Sequence, residues 1–176
     1  MKQKLILIGF MGAGKTSVGQ ACARAFGLPL LDTDQLIEER AGMAISEIFA
    51  RQGEAVFRQT ETAVLEQLLA DRKLAVISVG GGLPLREENR VMLKQLGTVV
   101  FLRVQKKTVL ERLQGDTTRP LLQGPDVEQK VEALLTYRNP IYAEAAGVVV
   151  DVDGKEVSEI VRELTQRLEE ETIGGE

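Results

Sequence analysis

The sequence contains no histidine, and this absence removes both the commonest general base and every metal site that depends on imidazole. A catalytic site in this chain would therefore use carboxylates, lysine, arginine and a metal ion bound through oxygen atoms. Cysteine is almost as scarce, because Cys22 is the one cysteine among 176 residues. One thiol forms no disulfide within the chain, so the composition predicts a reducing environment and a cytoplasmic location.

Long apolar segments and net positive charge are also lacking. No apolar run approaches the roughly 20 residues of a membrane-spanning helix, so we expect no contact with a membrane. The formal net charge is −4 at pH 7, which disfavours nonspecific binding to nucleic acid because such binding needs clustered positive charge. The length fits one compact domain over residues 1–176, without a linker or an internal repeat, and we expect a monomer.

A complete phosphate-binding loop lies near the amino terminus. Residues 9–16 read G-F-M-G-A-G-K-T, between a buried-strand pattern at 5–8 and a helical pattern at 15–26. The glycines let backbone N–H groups converge on phosphate oxygens, and the positive end of the helix faces the same anion. Lys15 is expected to reach the β and γ phosphates, and the Thr16 hydroxyl to bind Mg²⁺. The pattern predicts a nucleoside triphosphate site.

Apolar runs alternate with helical patterns along the rest of the chain. Further strands are predicted at 29–31, 74–79, 98–102 and 147–150. Helices are predicted at 35–41, 46–52, 54–69, 86–96, 105–113, 127–137 and 156–168. The helix at 127–137 is expected to end before Pro140, and the acidic tail 169–176 to fray. This alternation predicts an α/β fold in which helices cover both faces of a five-stranded parallel sheet.

Three predicted strand ends deliver polar or glycine-rich segments to one edge of the sheet, where ligands of such folds gather. The strand at 74–79 lacks the terminal aspartate that usually holds Mg²⁺ in phosphate-loop proteins. Asp32, at the end of another strand, is the expected substitute, and Asp34 would face the acceptor pocket as a general base. The alternative is that Thr33 or Asp34 only caps the following helix, while Asp32 is solvated.

The triple glycine at 80–82 has no side chain to contribute. Its expected function is to offer backbone N–H groups to an anion or to allow close approach of a small ligand, and the alternative is a flexible turn. The segment 114–126 contains two glycines and two prolines and is long for a loop in a compact domain, so we expect a lid.

Four arginines are candidates for binding an anionic substrate, because a planar guanidinium can grip a carboxylate or a phosphate through two hydrogen bonds. They are Arg58, Arg112, Arg119 and Arg138. The alternative for each is a solvated surface side chain, and for Arg58 it is a surface ion pair with Glu61 three residues on.

These motifs occur in the order found in a known family. The chain resembles the shikimate kinases in G-F-M-G-A-G-K-T, then L-D-T-D, G-E-x-x-F-R ending at Arg58, G-G-G, R-P-L-L from Arg119, and Y-R-x-P around Arg138. The ordered set covers nearly the whole chain. The resemblance implies a nucleoside-monophosphate-kinase-like fold with a mobile lid. It also implies transfer of the γ-phosphoryl group of ATP to the 3-hydroxyl of shikimate, in the pathway to chorismate and the aromatic amino acids.

The resemblance further implies roles for individual residues. The implied catalytic residues are Asp34, Lys15 and Arg119. The implied substrate-binding residues are Asp34, Arg58, Gly81, Gly82 and Arg138, with the acceptor-binding helices at about 33–61. The implied nucleotide-binding residues are Gly12, Ala13, Gly14, Lys15, Thr16, Ser17, Arg112, Arg119 and Lys155. Thr16 and Asp32 would support Mg²⁺. The chain departs from some members at 153–155, where D-G-K replaces an arginine near the adenine, so Lys155 is expected to supply part of that contact.

Two other classes of function are compatible with a phosphate loop. A kinase for another polyol acid, such as gluconate, would share the loop and the lid, although L-D-T-D together with R-P-L-L favours shikimate. A nucleotide-dependent switch would bind without an acceptor, and D-x-x-G at 151–154 imitates a motif of GTPases. That motif lies too far from the phosphate loop, however, and no N-K-x-D sequence accompanies it.

Overall fold

The computed structural model describes residues 3–114 and 124–173. These ranges contain five β-strands, namely β1 (Lys4–Ile8), β2 (Leu30–Asp32), β3 (Val76–Ser78), β4 (Gly97–Arg103) and β5 (Val148–Asp151). They also contain eight α-helices, namely α1 (Lys15–Phe26), α2 (Thr33–Ala41), α3 (Ile45–Gln52), α4 (Glu54–Ala70), α5 (Glu87–Leu96), α6 (Lys106–Leu113), α7 (Val127–Ala145) and α8 (Val157–Ile173). A short 3-10 helix, Leu83–Leu85, follows β3.

The five strands form one parallel sheet in the order β2-β3-β1-β4-β5. The central strand β1 is buried at every residue, which explains why its sequence is a continuous apolar run after Lys4. On one side Leu7 pairs with Ser78 of β3, and on the other side Ile8 pairs with Phe101 of β4. Helices α1 and α8 pack together, as do α5 and α7. The predicted α/β fold with a five-stranded parallel sheet is confirmed.

Helix α7 continues past Pro140, so the prediction that it ends before the proline is wrong. Proline removes one backbone hydrogen bond and disfavours the helical conformation of the preceding residue. The helix buries side chains on both sides of the proline, namely Val131, Leu135, Tyr142 and Ala145. Packing of the helix against the core therefore outweighs the tendency of a proline to end a helix.

Helix α8 also continues beyond its predicted end. It runs to Ile173, so the expectation that the chain frays from Glu169 is wrong for residues 169–173. Glutamate has a good helix propensity, and the acidic run simply extends the helix. Among the helices of the described ranges, none is long and apolar enough to span a membrane.

Gly97 begins β4 at a point where the backbone of β1 leaves no room for a side chain. A Cβ atom on Gly97 would lie 2.9 Å from the carbonyl carbon of Lys4 and closer still to the carbonyl oxygen. Both groups belong to the backbone of paired strands, so neither can move without disturbing the centre of the sheet.

We predict that Gly97→Ala lowers the free energy of unfolding by about 1–3 kcal/mol, the usual cost of overpacking. Gly147→Ala is the matched control, because the Gly147 N–H donates to Val99 in the same part of the sheet and its Cβ would lie 3.9 Å from the nearest atom. Urea denaturation followed by circular dichroism measures both variants. Equal stability of the two would contradict the steric argument.

Candidate active site

The phosphate loop joins β1 to α1 in a conformation that requires glycine. Gly12 and Gly14 have φ angles of +79° and +88°, in the left-handed region that residues with a Cβ disfavour. Gly14 also precedes α1 without a side-chain cap, and helix N–H groups that no side chain caps are suited to bind an anion. Ala13 is buried, and its N–H donates to the carbonyl oxygen of Phe10 at 3.1 Å. Ala13 therefore closes the turn of the loop.

Lys15 folds back over the loop that precedes it. Its Nζ donates to the carbonyl oxygens of Gly9 at 2.7 Å and of Phe10 at 3.2 Å. These contacts hold the ammonium group beside the anion-binding N–H groups. Thr16 and Ser17, the next two residues, are exposed. They line a cleft at the carboxyl edge of the sheet, to which the phosphate loop also contributes.

Asp32 ends β2 and caps α2. Its Oδ1 accepts hydrogen bonds from the N–H groups of Asp34 at 2.8 Å and Gln35 at 3.3 Å. The sequence had offered Thr33 or Asp34 as the cap, and the structure assigns that function to Asp32 itself. The Thr33 hydroxyl is buried and accepts from the N–H of Gly80 at 3.0 Å, which joins α2 to the loop after β3.

Asp34 is half-buried at the wall of the cleft. Burial raises the pKa of its carboxyl group, and the charge of Asp32 raises it further, while Lys15 and Arg58 act in the opposite direction. The net result is a pKa above the ordinary value for aspartate. A carboxylate with increased proton affinity is suited to accept a proton from a hydroxyl group.

The three glycines after β3, residues 80–82, make room for three charged side chains. A Cβ atom on the first would lie 2.6 Å from Oδ1 of Asp34, and one on the second would lie 3.4 Å from Nη1 of Arg138. A Cβ on the third would overlap the guanidinium of Arg58. The missing side chains therefore allow one carboxylate and two guanidinium groups to converge on one loop.

Arg58 lies on α4 between two carboxylates. Its Nη1 donates to Oε1 of Glu61 at 2.7 Å, and its Nη2 lies 3.5 Å from Oε1 of Glu54. Glu61 is only 1% exposed, so the pair is not the surface ion pair that the spacing allowed. Burial raises the pKa of Glu61, and the hydrogen bond from Arg58 opposes that shift in part. The buried carboxylate fixes the orientation of the guanidinium.

Sequence reasoning did not identify Glu61 as part of the site. The signal was present, because Glu61 follows Phe57 by four residues and precedes Val64 by three. This spacing places Glu61 on the same buried stripe of α4 as the apolar side chains.

Tyr142 is a second residue that sequence reasoning missed. Its side chain is fully buried, and its hydroxyl donates to the carbonyl oxygen of Gly81 at 2.5 Å. Tyr142 lies one helical turn after Arg138 on α7 and therefore supports the loop that Arg138 contacts. Because the helix was predicted to end before Pro140, Tyr142 was not expected to lie on the same helix as Arg138.

One cleft of about 470 Å³ at the carboxyl edge of the sheet brings most of the predicted site residues together. The predicted residues that line it are Gly12, Gly14, Lys15, Thr16, Ser17, Asp32, Asp34, Arg58, Gly81, Gly82 and Arg138. Phe57, Glu61 and Ser78 line it as well. The cleft lies where the predicted strand ends converge.

Two further predicted nucleotide contacts, Arg112 and Lys155, lie outside the lining of this cleft. Arg112, near the end of α6, donates from Nη1 to the carbonyl oxygen of Gly12 and so lies beside the phosphate loop. Lys155 donates from Nζ to Oε2 of Glu163 on α8 at 2.6 Å. Arg119, with most of the predicted lid, lies outside the described residues.

The cleft combines an anion-binding loop, a carboxylate of raised proton affinity and two arginines facing the same space. This set of groups is suited to transfer a phosphoryl group from a nucleoside triphosphate to a small acidic acceptor. Fold and site together define a phosphate-loop kinase for a small molecule.

A family model described as shikimate kinase matches residues 11–169. The shikimate kinase of Moorella thermoacetica is 44% identical over 168 residues, covering 96% of this chain and 95% of its own. The solved structure of shikimate kinase from Acinetobacter baumannii, in complex with shikimate, has a TM-score of 0.88 at 37% identity and covers 96% of this chain and 94% of its own. The chain belongs to the shikimate kinase family, which confirms the resemblance of its motifs and the ATP-dependent kinase activity that the resemblance implies.

The two alternative classes are not supported. A gluconokinase from Sinorhizobium meliloti shares the fold, with a TM-score of 0.60, but it is 21% identical, and that level shows the fold alone. The family match therefore decides between the two acceptors in favour of shikimate, and it excludes a switch that binds nucleotide without an acceptor.

We predict that the unfolding free energy of the wild type falls relative to that of Glu61→Gln as pH rises. The folded-state pKa of Glu61 is raised above 4.5, so the folded chain binds this proton more tightly than the unfolded chain. The stabilising effect of protonation is complete below 4.5 and is lost as pH rises through the raised value. Urea denaturation of both proteins from pH 4 to 7 measures the difference. If the unfolding free energy of the wild type minus that of Glu61→Gln stays constant or rises with pH, burial does not control this group.

Proposed function

We propose that the chain transfers the γ-phosphoryl group of ATP to the 3-hydroxyl of shikimate. The observation that carries this proposal is the position of Asp34, which lines one cleft together with the phosphate loop and with Arg58 and Arg138. The acceptor is a carboxylate with hydroxyl groups, so it needs cations at one end and a proton acceptor near the other. The cleft offers both within about 470 Å³.

Arg58 and Arg138 would bind the carboxylate of shikimate. Glu61 orients the guanidinium of Arg58, and the guanidinium carbon of Arg138 lies 5.8 Å from the centre of the Phe10 ring. The N–H groups of Gly81 and Gly82 make no hydrogen bond to another described residue, so they are suited to complete the shell of an anion. Arginine suits this task because its fork matches a carboxylate.

Asp34 would hold the acceptor hydroxyl and take up its proton. Phosphoryl transfer passes through a loose transition state, so the protein mainly aligns the hydroxyl oxygen with the γ-phosphorus. Alignment alone can supply up to about 7–11 kcal/mol of the barrier reduction. The raised pKa of Asp34 favours proton uptake once the bond to phosphorus forms.

Mg²⁺ fits the oxygen atoms that the donor side offers. The Thr16 hydroxyl and the Asp32 carboxylate line the same cleft, and the helix cap engages only Oδ1 of Asp32. Within the described ranges, no group of three or more acidic or cysteine side chains could hold a metal by itself. A magnesium ion bound by one or two protein oxygens, water and phosphates agrees with this arrangement. When bound, it would neutralise charge on the β and γ phosphates, as Lys15 would.

The remaining assignments rest on the family resemblance. Arg119, in the proposed lid at 114–126, would approach the phosphates, and closure after shikimate binds would keep water from the γ-phosphate. Arg112, already beside Gly12, would flank the adenine. Lys155 would contribute to the adenine site only after leaving Glu163.

A cytoplasmic monomer is the setting that we infer for this reaction. Donor and acceptor sides of the cleft come from one chain, so a second copy is not needed to complete it. Cys22 is buried and unbridged, which agrees with a reducing compartment.

An acceptor screen tests the proposed function. Release of ADP is measured with ATP and Mg²⁺ in the presence of shikimate, quinate, gluconate or nucleoside monophosphates. We expect turnover with shikimate and much slower hydrolysis of ATP without an acceptor. Preference for gluconate, or hydrolysis equal to the transfer rate in the absence of shikimate, would refute the proposal.

Replacement of Asp34 by asparagine is predicted to lower kcat about 10²- to 10⁴-fold with the fold intact, because the amide preserves the shape and removes the proton acceptor. Glu39→Gln, on the exposed face of the same helix, is the matched control and should leave kcat unchanged. Steady-state kinetics and circular dichroism provide the two readouts. Near-normal turnover of Asp34→Asn would show that Asp34 is not the base.

Replacement of Arg138 by lysine is predicted to raise the KM for shikimate about tenfold or more, because an ammonium group cannot reproduce the paired hydrogen bonds of a guanidinium. The KM for ATP should change little. Arg40→Lys, which alters an exposed side chain of α2, serves as the control. An unchanged KM for shikimate would exclude Arg138 from the carboxylate site.

A further inference from the structure

A buried polar network connects α4, α5 and the 3-10 helix that follows the triple glycine. Asn89 of α5 is fully buried. Its Nδ2 donates to the carbonyl oxygen of Leu83 at 2.9 Å, and its Oδ1 accepts from the hydroxyl of Thr62 at 2.9 Å. The two contacts satisfy both polar atoms of the amide, as a buried side chain requires.

The direction of each hydrogen bond in this network follows from its chemistry. The carbonyl oxygen of Leu83 can only accept, so the amide nitrogen of Asn89 must face it and the amide oxygen must face Thr62. The hydroxyl of Thr62 has one proton, which therefore goes to Asn89 and not to the carbonyl oxygen of Arg58, 3.2 Å away. The same hydroxyl oxygen accepts from Nη1 of Arg86 at 3.3 Å.

The network closes a ring around Arg58. Thr62 lies one helical turn after Arg58 on α4. Leu83 directly follows Gly82, whose missing Cβ leaves the space that the Arg58 guanidinium occupies. Helix α4 is therefore joined to this loop region in two ways. The guanidinium of Arg58 packs against the loop, and Thr62 and Asn89 connect the helix to Leu83.

Glu61 and this network act on different parts of Arg58. The carboxylate of Glu61 bonds to Nη1 and sets the direction of the guanidinium. Thr62 and Asn89 join the backbone of α4 to Leu83, the residue that follows the loop at 80–82. Loss of the Thr62 hydroxyl would leave the oxygen of Asn89 buried without a partner, and α4 would move from its place on the loop to restore a partner.

We propose that Thr62 and Asn89 are positioning residues for the acceptor site, and that they hold α4 against the glycine loop so that Arg58 meets the shikimate carboxylate. This inference rests on the proposed function of Arg58 as a ligand of that carboxylate. Neither residue touches the acceptor itself, since the lining of the cleft includes neither of them.

The primary test replaces Thr62 by valine, which keeps the shape and removes the hydroxyl. We expect the KM for shikimate to rise about five- to twentyfold, while kcat and the KM for ATP stay within about twofold. Thr62→Ser should restore the wild-type KM. Thr60→Val is the matched control, because the Thr60 hydroxyl bonds to the carbonyl oxygen of Val56 within the same helix. An equal rise in Thr60→Val, or an unchanged KM in Thr62→Val, would overturn the inference.

A double-mutant cycle separates this inference from the proposed function. If Thr62 acts through Arg58, then Thr62→Val should not raise the KM further in an Arg58→Ala background. The same additional rise in both backgrounds would refute the positioning role and leave the carboxylate site intact. An unchanged KM in Arg58→Ala alone would refute the carboxylate site, and the inference with it. Thr62→Ala, which adds no buried methyl group, provides the same readout if the valine variant does not fold.

Discussion

The pairing of β1 with a parallel strand on each side is the constraint on which the site depends. Parallel strands all end at the carboxyl edge of the sheet. The phosphate loop after β1 and the glycine loop after β3 therefore lie side by side. The register that pairs Leu7 with Ser78 sets their relative height. A slip of one residue would displace the two loops by about 3.3 Å, which is more than in-line transfer between donor and acceptor tolerates.

Burial in the wall of the cleft changes the properties of its charged groups. Asp34 and Glu61 both have a pKa raised by burial, and both lie near Arg58. Attraction between opposite charges is stronger there than in bulk water, because fewer solvent dipoles oppose it. Each of these two carboxyl groups therefore has a function that accounts for its place near an anionic substrate. Glu61 offsets and orients a cation, and Asp34 remains available to a hydroxyl group.

Local patterns in the sequence were sufficient for the parts of the site that local structure determines. The phosphate loop, the strand ends and the position of Asp34 follow from glycine spacing and from runs of apolar residues. Contacts between distant segments left no such pattern. The bond between Thr62 and Asn89 depends on how α4 and α5 meet, and the support from Tyr142 depends on a helix that core packing carries past a proline.

The burial of Cys22 makes its thiol unreactive, although the residue lies on the helix that follows the phosphate loop. The thiol lies on α1, the helix that begins at the phosphate loop, yet burial raises its pKa to about 11. Thiolate is the form that oxidants and electrophiles attack, and at neutral pH almost none is present. Oxidation or alkylation of this thiol in the folded chain is therefore disfavoured.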